Sequence, residues 1–184
     1  MYEALLATGF IEEARLKEHC QIDGKYFDVL LHAHFNPRHY LKYRHASDED
    51  AKLFFEWAND PEVRKNAFST DAIIWDSHEK WFYNKLASQN SKLYIFTDKA
   101  DNPVGQVRLD YDKGEWLIDY SVDRSYRGLG LGRIFIERLM ESLIEMKLVA
   151  LVKIDNIPSL QVFRKLGFTE LREKDSIVKF IFQS

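Results

Sequence analysis

Cysteine is nearly absent: Cys20 is the single one among 184 residues. That excludes an internal disulfide, and no set of Cys and His residues has zinc-ligand spacing, so no metal is expected and a reducing cytoplasm fits. Cys20 itself reads as an ordinary strand residue. Long apolar runs are missing too, with no stretch of about 18 hydrophobic residues. The opening MYEALLATGF lacks the basic and apolar regions of a secretory leader. A cytoplasmic protein without a membrane partner is therefore expected. Nor does one sign of charge dominate: 26 Lys and Arg stand against 29 Asp and Glu, a formal net charge of -3, which removes the overall electrostatic reason to expect nucleic acid.

What is present suffices for a sizeable core. Hydrophobic residues make up 46% and charged residues 30%, a globular balance, and the length holds one ordinary domain with about forty residues to spare. From residue 41 the pattern predicts a strand over 41–46, then a helix opened by Ser47 or Asp48 and running to about Ala58, with Leu53, Phe54 and Trp57 as its apolar stripe. A second short helix starts at Pro61, since proline is tolerated in a first turn. DSHEKWFYNKLAS reads as a third, with Trp81, Phe82 and Leu86 inward.

Three β-rich runs follow, KLYIFTD, VGQVRLDY and EWLIDYSVD, separated by Asp-Asn-Pro and Asp-Lys-Gly turns, which reads as an antiparallel meander. In the last run Trp116, Ile118, Tyr120 and Val122 share one face, and Leu117, Asp119 and Ser121 the other. Glu115, next to the turn, is expected to be exposed. RIFIERLMESLIEMK reads as an amphipathic helix whose apolar face runs from Ile134 to Ile144. LVALVKID reads as a strand buried on both faces. NIPSLQVFRKLGF reads as a helix stopped at Gly167, and two strands close the chain.

The first forty residues read as a helix end, a Gly9-Phe10 stop and a hairpin turning at Asp23-Gly24. They repeat the ending LQVFRKLGFTELREKDSIVKFIF in outline, a partial internal repeat.

Glycine is scarce, eight residues in all, yet Gly128, Gly130 and Gly132 alternate at the mouth of a helix. Alternate glycines allow a tight turn with consecutive N–H groups exposed. The following helix adds its unpaired N–H groups and positive dipole end. Together they suit a phosphate or pyrophosphate, with Arg127 and Arg133 adding charge. Gly132-Arg133-Ile134 lacks the Lys-Ser/Thr of a Walker A loop. A Rossmann fingerprint would need a parallel βαβ unit and a longer last spacing. A purely structural glycine turn remains the third reading.

The run Arg127-Gly128-Leu129-Gly130-Leu131-Gly132 after a meander, followed by helix, strand and NIPSLQVFRKLGF, resembles the GNAT superfamily of acetyl-CoA-dependent N-acetyltransferases over residues 41–184. The resemblance implies an α/β fold of α+β type: a mixed, mostly antiparallel sheet with splayed central strands, flanked by helices. It makes 41–184 the transferase domain and 1–40 an appendage that looks like the C-terminal end of another such domain.

The same resemblance implies acetyl-CoA as co-substrate, its pyrophosphate on Arg127, Gly128, Leu129, Gly130, Leu131, Gly132 and Arg133. Pantothenate would lie beside Tyr120, Ser121 and Val122. Asn156, Ser159 and Phe163 would also line the cofactor. Attack by the amine is direct, in a ternary complex. Asp119 is the candidate base, acting through water. Phe163 stands where many members carry a tyrosine as general acid, so Tyr120 or Ser159 is expected to substitute, or else water and backbone N–H groups.

On the acceptor side, WANDPEVR and the following HEKWF resemble transferases of nucleotide-linked amino sugars, in particular those acting on the 4-amino group of a UDP-linked 4-amino-4,6-dideoxy sugar. Carried over, Arg64 would meet a diphosphate, His78 a phosphate or hydroxyl, and Trp57 or Trp81 a sugar face. A protein N-terminal acetyltransferase of the ribosomal-protein type is the alternative, and a non-catalytic acyl-CoA-binding module a third reading. Monomer and homodimer are both compatible.

Overall fold

A computed structural model describes residues 11–33, 40–143, 146–172 and 176–183. The chain divides into two compact units, 1–40 and 41–184. The expected helix end and Gly9-Phe10 stop lie outside the described residues, as does Ile144.

In the first unit, β1 (Ile11–Ile22) and β2 (Lys25–Ala33) form an antiparallel hairpin. Asp23 and Gly24 turn it with φ of 49° and 74°, the paired positive angles that a two-residue turn needs to match the twist of its strands.

The second unit begins with β3 (Lys42–His45), followed by a 3-10 turn at Asp48–Asp50. Three helices come next: α1 (Ala51–Ala58), α2 (Pro61–Asn66) and α3 (Trp75–Ala87). The meander is β4 (Ser91–Thr97), β5 (Pro103–Asp112) and β6 (Glu115–Val122). Then come α4 (Leu131–Met140), β7 (Lys147–Lys153), α5 (Ile157–Lys165), β8 (Thr169–Arg172) and β9 (Ile177–Gln183). One mixed sheet runs β3-β4-β5-β6-β7-β9-β8.

Alternation along the strands builds two cores. Val107 and Leu109 join Phe135, Leu139, Phe163 and Phe180 under α4 and α5. Leu93 and Ile95 join Phe54, Trp57 and Phe82 under α1 and α3.

Every pairing in this sheet is antiparallel except β6 with β7, and that ladder contains only Trp116–Leu148 and Leu117–Val149. Past those pairs the strands part, although β6 stays paired with β5 and β7 with β9 along their full lengths. The sheet is thus split at its centre.

Two expectations change. Glu115 is not exposed: it pairs with Lys147 Nζ at 2.7 Å and Lys179 Nζ at 3.1 Å, tying β6, β7 and β9 together just below the split. Both lysines hold its carboxyl below the ordinary glutamate value. The glycine-led helix also starts two residues early and is shorter. It opens at Leu131 and ends at Met140, because Gly130 at φ 73° launches it and Gly132 already lies in its first turn.

Candidate active site

The split opens a cleft of about 990 Å³, the size of a small-molecule site. One wall is β6 from Ile118 to Val122, the parted end of β7 and the first turns of α5; the glycine loop closes its end, and α1 to α3 with Gln106 and Arg108 form the opposite wall. Along β6 the edge facing β7 has no strand partner beyond Leu117, so apart from the Val122 carbonyl, which Arg127 Nε occupies, its backbone groups are available to an extended ligand.

The glycines serve two different needs. Gly128 and Gly130 have φ of 79° and 73°, and a Cβ on either would meet nothing within 4 Å. They supply left-handed backbone and leave the loop surface open. At Gly132 a Cβ would fall 2.5 Å from Cε2 of Tyr120, so that glycine lets the helix lie on the tyrosine ring. No side chain caps the N-terminus of α4, which leaves its first N–H groups for an anion. Leu131 and Gly132 are buried and Arg133 is exposed at the cleft wall. Leu129 is 50% exposed and lies off that wall.

Arg127 lines the cleft with its side chain engaged within the protein. Its Nε donates to Val122 O at 3.1 Å, Nη2 to Asp60 at 2.8 Å and Nη1 to Glu62 at 3.0 Å. The guanidinium ties the glycine loop to α2 instead of standing free for phosphate. Burial works against the Asp60 charge, but Arg127 and the N–H groups of Val63 and Glu62 outweigh it and hold the carboxyl below the usual aspartate value. Asp123 makes a parallel tie: it accepts from Ser125 N at 2.9 Å and from the Trp57 indole at 2.9 Å.

On the α5 side the Tyr120 hydroxyl and Ser159 Oγ are 2.9 Å apart. The Tyr120 ring meets Phe163 edge-on, with centroids 6.0 Å apart. Phe163 is a core residue, stacked on Phe180 and 2% exposed. Burial pushes the Tyr120 phenol up, against the Ser159 hydrogen bond and with help from the Asp119 charge. Asn156 accepts from Ser159 N at 3.2 Å and so caps α5, its carbonyl turned to the helix.

Asp119 is half exposed on the cleft floor, with Arg108 Nη2 3.4 Å away. Arg108 also lies 2.9 Å from Asp110 and beneath the Trp81 ring, 5.2 Å from its centroid.

The other three acceptor-side residues line the cleft as well, each with partners inside the protein. Arg64 donates to Ala58 O at 2.6 Å, Ser69 O at 3.1 Å and Asp71 O at 3.3 Å, fastening the α2–α3 loop. His78 is 2% exposed, stacks on Phe82 and donates Nε2–H to Ala51 O at 3.1 Å. Burial pushes its pKa down despite that bond, so it is a neutral core histidine. Trp57 is buried with its N–H on Asp123.

Sequence reasoning passed over Gln106 and Arg108, whose signal was present: Gln106, Arg108 and Asp110 alternate on the strand VGQVRLDY, putting polar groups on one face of a central strand. Among the described residues no cluster of His, Cys, Asp or Glu could hold a metal ion, and no helix is long and apolar enough to cross a membrane.

A family profile described as an acetyltransferase (GNAT) domain matches residues 41–169. The chain is 26% identical over 144 residues to an N-acetyltransferase 9-like protein of Nematostella vectensis, covering 66% of this chain and 71% of that one. Among solved structures, spermidine N-acetyltransferase from Vibrio cholerae, in complex with CoA and spermine, aligns over 79% of this chain and 96% of its own, with a TM-score of 0.70 and 15% identity. RimL, a ribosomal L7/L12 alpha-N-protein acetyltransferase in complex with CoA, covers 78% of this chain and 94% of its own, with a TM-score of 0.68 and 14% identity. A domain from Methanocaldococcus jannaschii covers 78% of this chain and 98% of its own, with a TM-score of 0.69 and 18% identity.

Proposed function

The chain belongs to the GNAT acetyltransferase family, and on that premise we propose that it moves an acetyl group from acetyl-CoA to a primary amine by direct attack within one ternary complex. The observation that carries this reading is the parting of β6 and β7 beside an open-faced glycine loop. The fit is good at both ends. The uncapped first turn of α4 and the Arg133 side chain suit a pyrophosphate, and the unpaired edge at Tyr120, Ser121 and Val122 suits an amide-bearing arm. When bound, acetyl-CoA supplies the thioester whose acyl carbon the amine attacks and whose sulfur leaves.

The chain's own residues then handle two protons. Asp119, half exposed on the floor, takes the proton of the attacking amine through water. The Tyr120 hydroxyl, kept neutral by burial and oriented by Ser159 Oγ, gives a proton to the departing sulfur. Phe163 cannot do so, having no ionisable group. This pair supports a catalyst over a mere acyl-CoA-binding module.

For the acceptor, the nucleotide-linked 4-amino sugar needs cations for its diphosphate, and here Arg64, Arg108 and Arg127 are each engaged within the protein. That favours the alternative, an N-terminal α-amine of a peptide, which brings no diphosphate. Thiol release from acetyl-CoA is to be followed with a short peptide, spermidine and a UDP-linked amino sugar. The peptide is expected to react fastest; preference for the nucleotide sugar would reverse the assignment of the acceptor.

A further inference from the structure

The meander presents a small polar patch on the cleft floor. Gln106 pairs in register with Ser121, and Arg108 with Asp119, so all four side chains stand on the face toward α1 and α3. Three of them have partners: Arg108 and Asp119 hold each other, and Ser121 Oγ receives Gln106 Nε2 at 3.4 Å.

Two buried atoms of the patch make no hydrogen bond: Arg108 Nε, which still has the Asp110 carboxylate 2.9 Å away, and Gln106 Oε1, which has no such neighbour. Gln106 is 7% exposed and fronts the cleft. The amide is placed with its nitrogen toward Ser121 Oγ, the orientation that leaves the oxygen toward the cleft. Buried polar groups almost always find partners, and an exception in a cleft is accounted for when a ligand supplies the missing one. An apolar side chain would fill this place on a central strand at no such penalty.

Resting on the acetyl-transfer reading, we propose that Gln106 orients the acceptor: its Oε1 accepts a hydrogen bond from the N–H of the incoming uncharged amine. Nε2 stays with Ser121. This leaves the amine lone pair directed away from Gln106 and free for attack. A neutral amide does this without favouring the ammonium form, whereas a carboxylate at the same place would hold the unreactive cation.

The test uses the full chain with the peptide, spermidine and UDP-linked amino-sugar probes, steady-state kinetics and thermal melting. Gln106→Leu is expected to raise the KM of the reacting amine about tenfold, the size of one lost hydrogen bond, with the acetyl-CoA KM unchanged and the melting midpoint no lower than wild type. Gln106→Glu should move the pH profile of kcat/KM for the amine to higher pH. An unchanged amine KM in Gln106→Leu overturns the proposal. So does a lowered midpoint with both substrates' KM values rising together, since that marks a residue that only frames the strand. If the wild-type protein binds CoA yet releases no thiol with any of the three amines, the acetyl-transfer reading fails and this role falls with it. Turnover with an unchanged amine KM sinks the Gln106 role alone.

Discussion

Tyr120 is pinned by three neighbours: the backbone of Gly132 against its ring, the edge of Phe163, and Ser159 at its hydroxyl. A phenol so enclosed is a poor acid in the resting protein, because burial disfavours the phenolate, and its proposed task is to donate only when negative charge develops on the leaving sulfur. Tyr120→Phe keeps the ring, and so the packing, while removing the proton. We expect kcat to fall by about 10² or more, the range of a general acid, with CoA affinity kept. Equal losses in CoA affinity and kcat would instead make the tyrosine a binding residue. The same burial has a linkage consequence. The folded phenol titrates above its unfolded value of about 10, so its contribution is fully present below that pH and is lost as the pH rises through the folded value.

At the scale of elements, the acceptor-side helices are joined to the glycine loop by two ties, Arg127 to Asp60 and Glu62, and Trp57 to Asp123. The elements themselves were legible in the sequence. Helix stripes, strand alternation and turn residues are local signals, and they located β3 through β9 to within a few residues. The destinations of long side chains were not legible. Arg64, His78 and Arg127 look like ligand groups in one dimension. Each found a backbone carbonyl or carboxylate in the folded chain: Arg64 the end of α1 and the α2–α3 loop, His78 the start of α1, Arg127 the start of α2. The split of β6 from β7 is likewise a pairing between segments about thirty residues apart, outside any local window.

Asp60→Asn tests the Arg127 tie. It should lower unfolding stability by about 2 kcal/mol, the scale of a lost charge-assisted hydrogen bond, and raise the acceptor KM more than the acetyl-CoA KM. Because the Asp60 pKa is depressed in the fold, its contribution is present above about pH 3.9 and is lost as the pH falls through the folded value. The variant should therefore converge with wild type in acid. An unchanged denaturation midpoint together with tighter CoA binding would mean that the carboxylates withhold Arg127 from the phosphates and do not build the frame.

For the whole molecule, the boundary at residue 41 matters most. The family match begins there, the compact unit 41–184 begins there, and every wall residue of the cleft lies after it. Before it stands a two-stranded hairpin, and a lone hairpin is marginal in water. We therefore read residues 1–40 as an appendage resembling the end of a second domain of the same family, and expect the catalytic unit to be independent of it. The protein lacking residues 1–36 should express in soluble form, melt cooperatively within a few degrees of the full chain, and bind CoA with the same affinity by calorimetry. The three-way ion pair at Glu115 and both hydrophobic cores lie within that unit. An insoluble product, or one with non-cooperative melting, would show that the hairpin covers apolar surface of the transferase unit. The appendage reading would then give way to a single, larger domain.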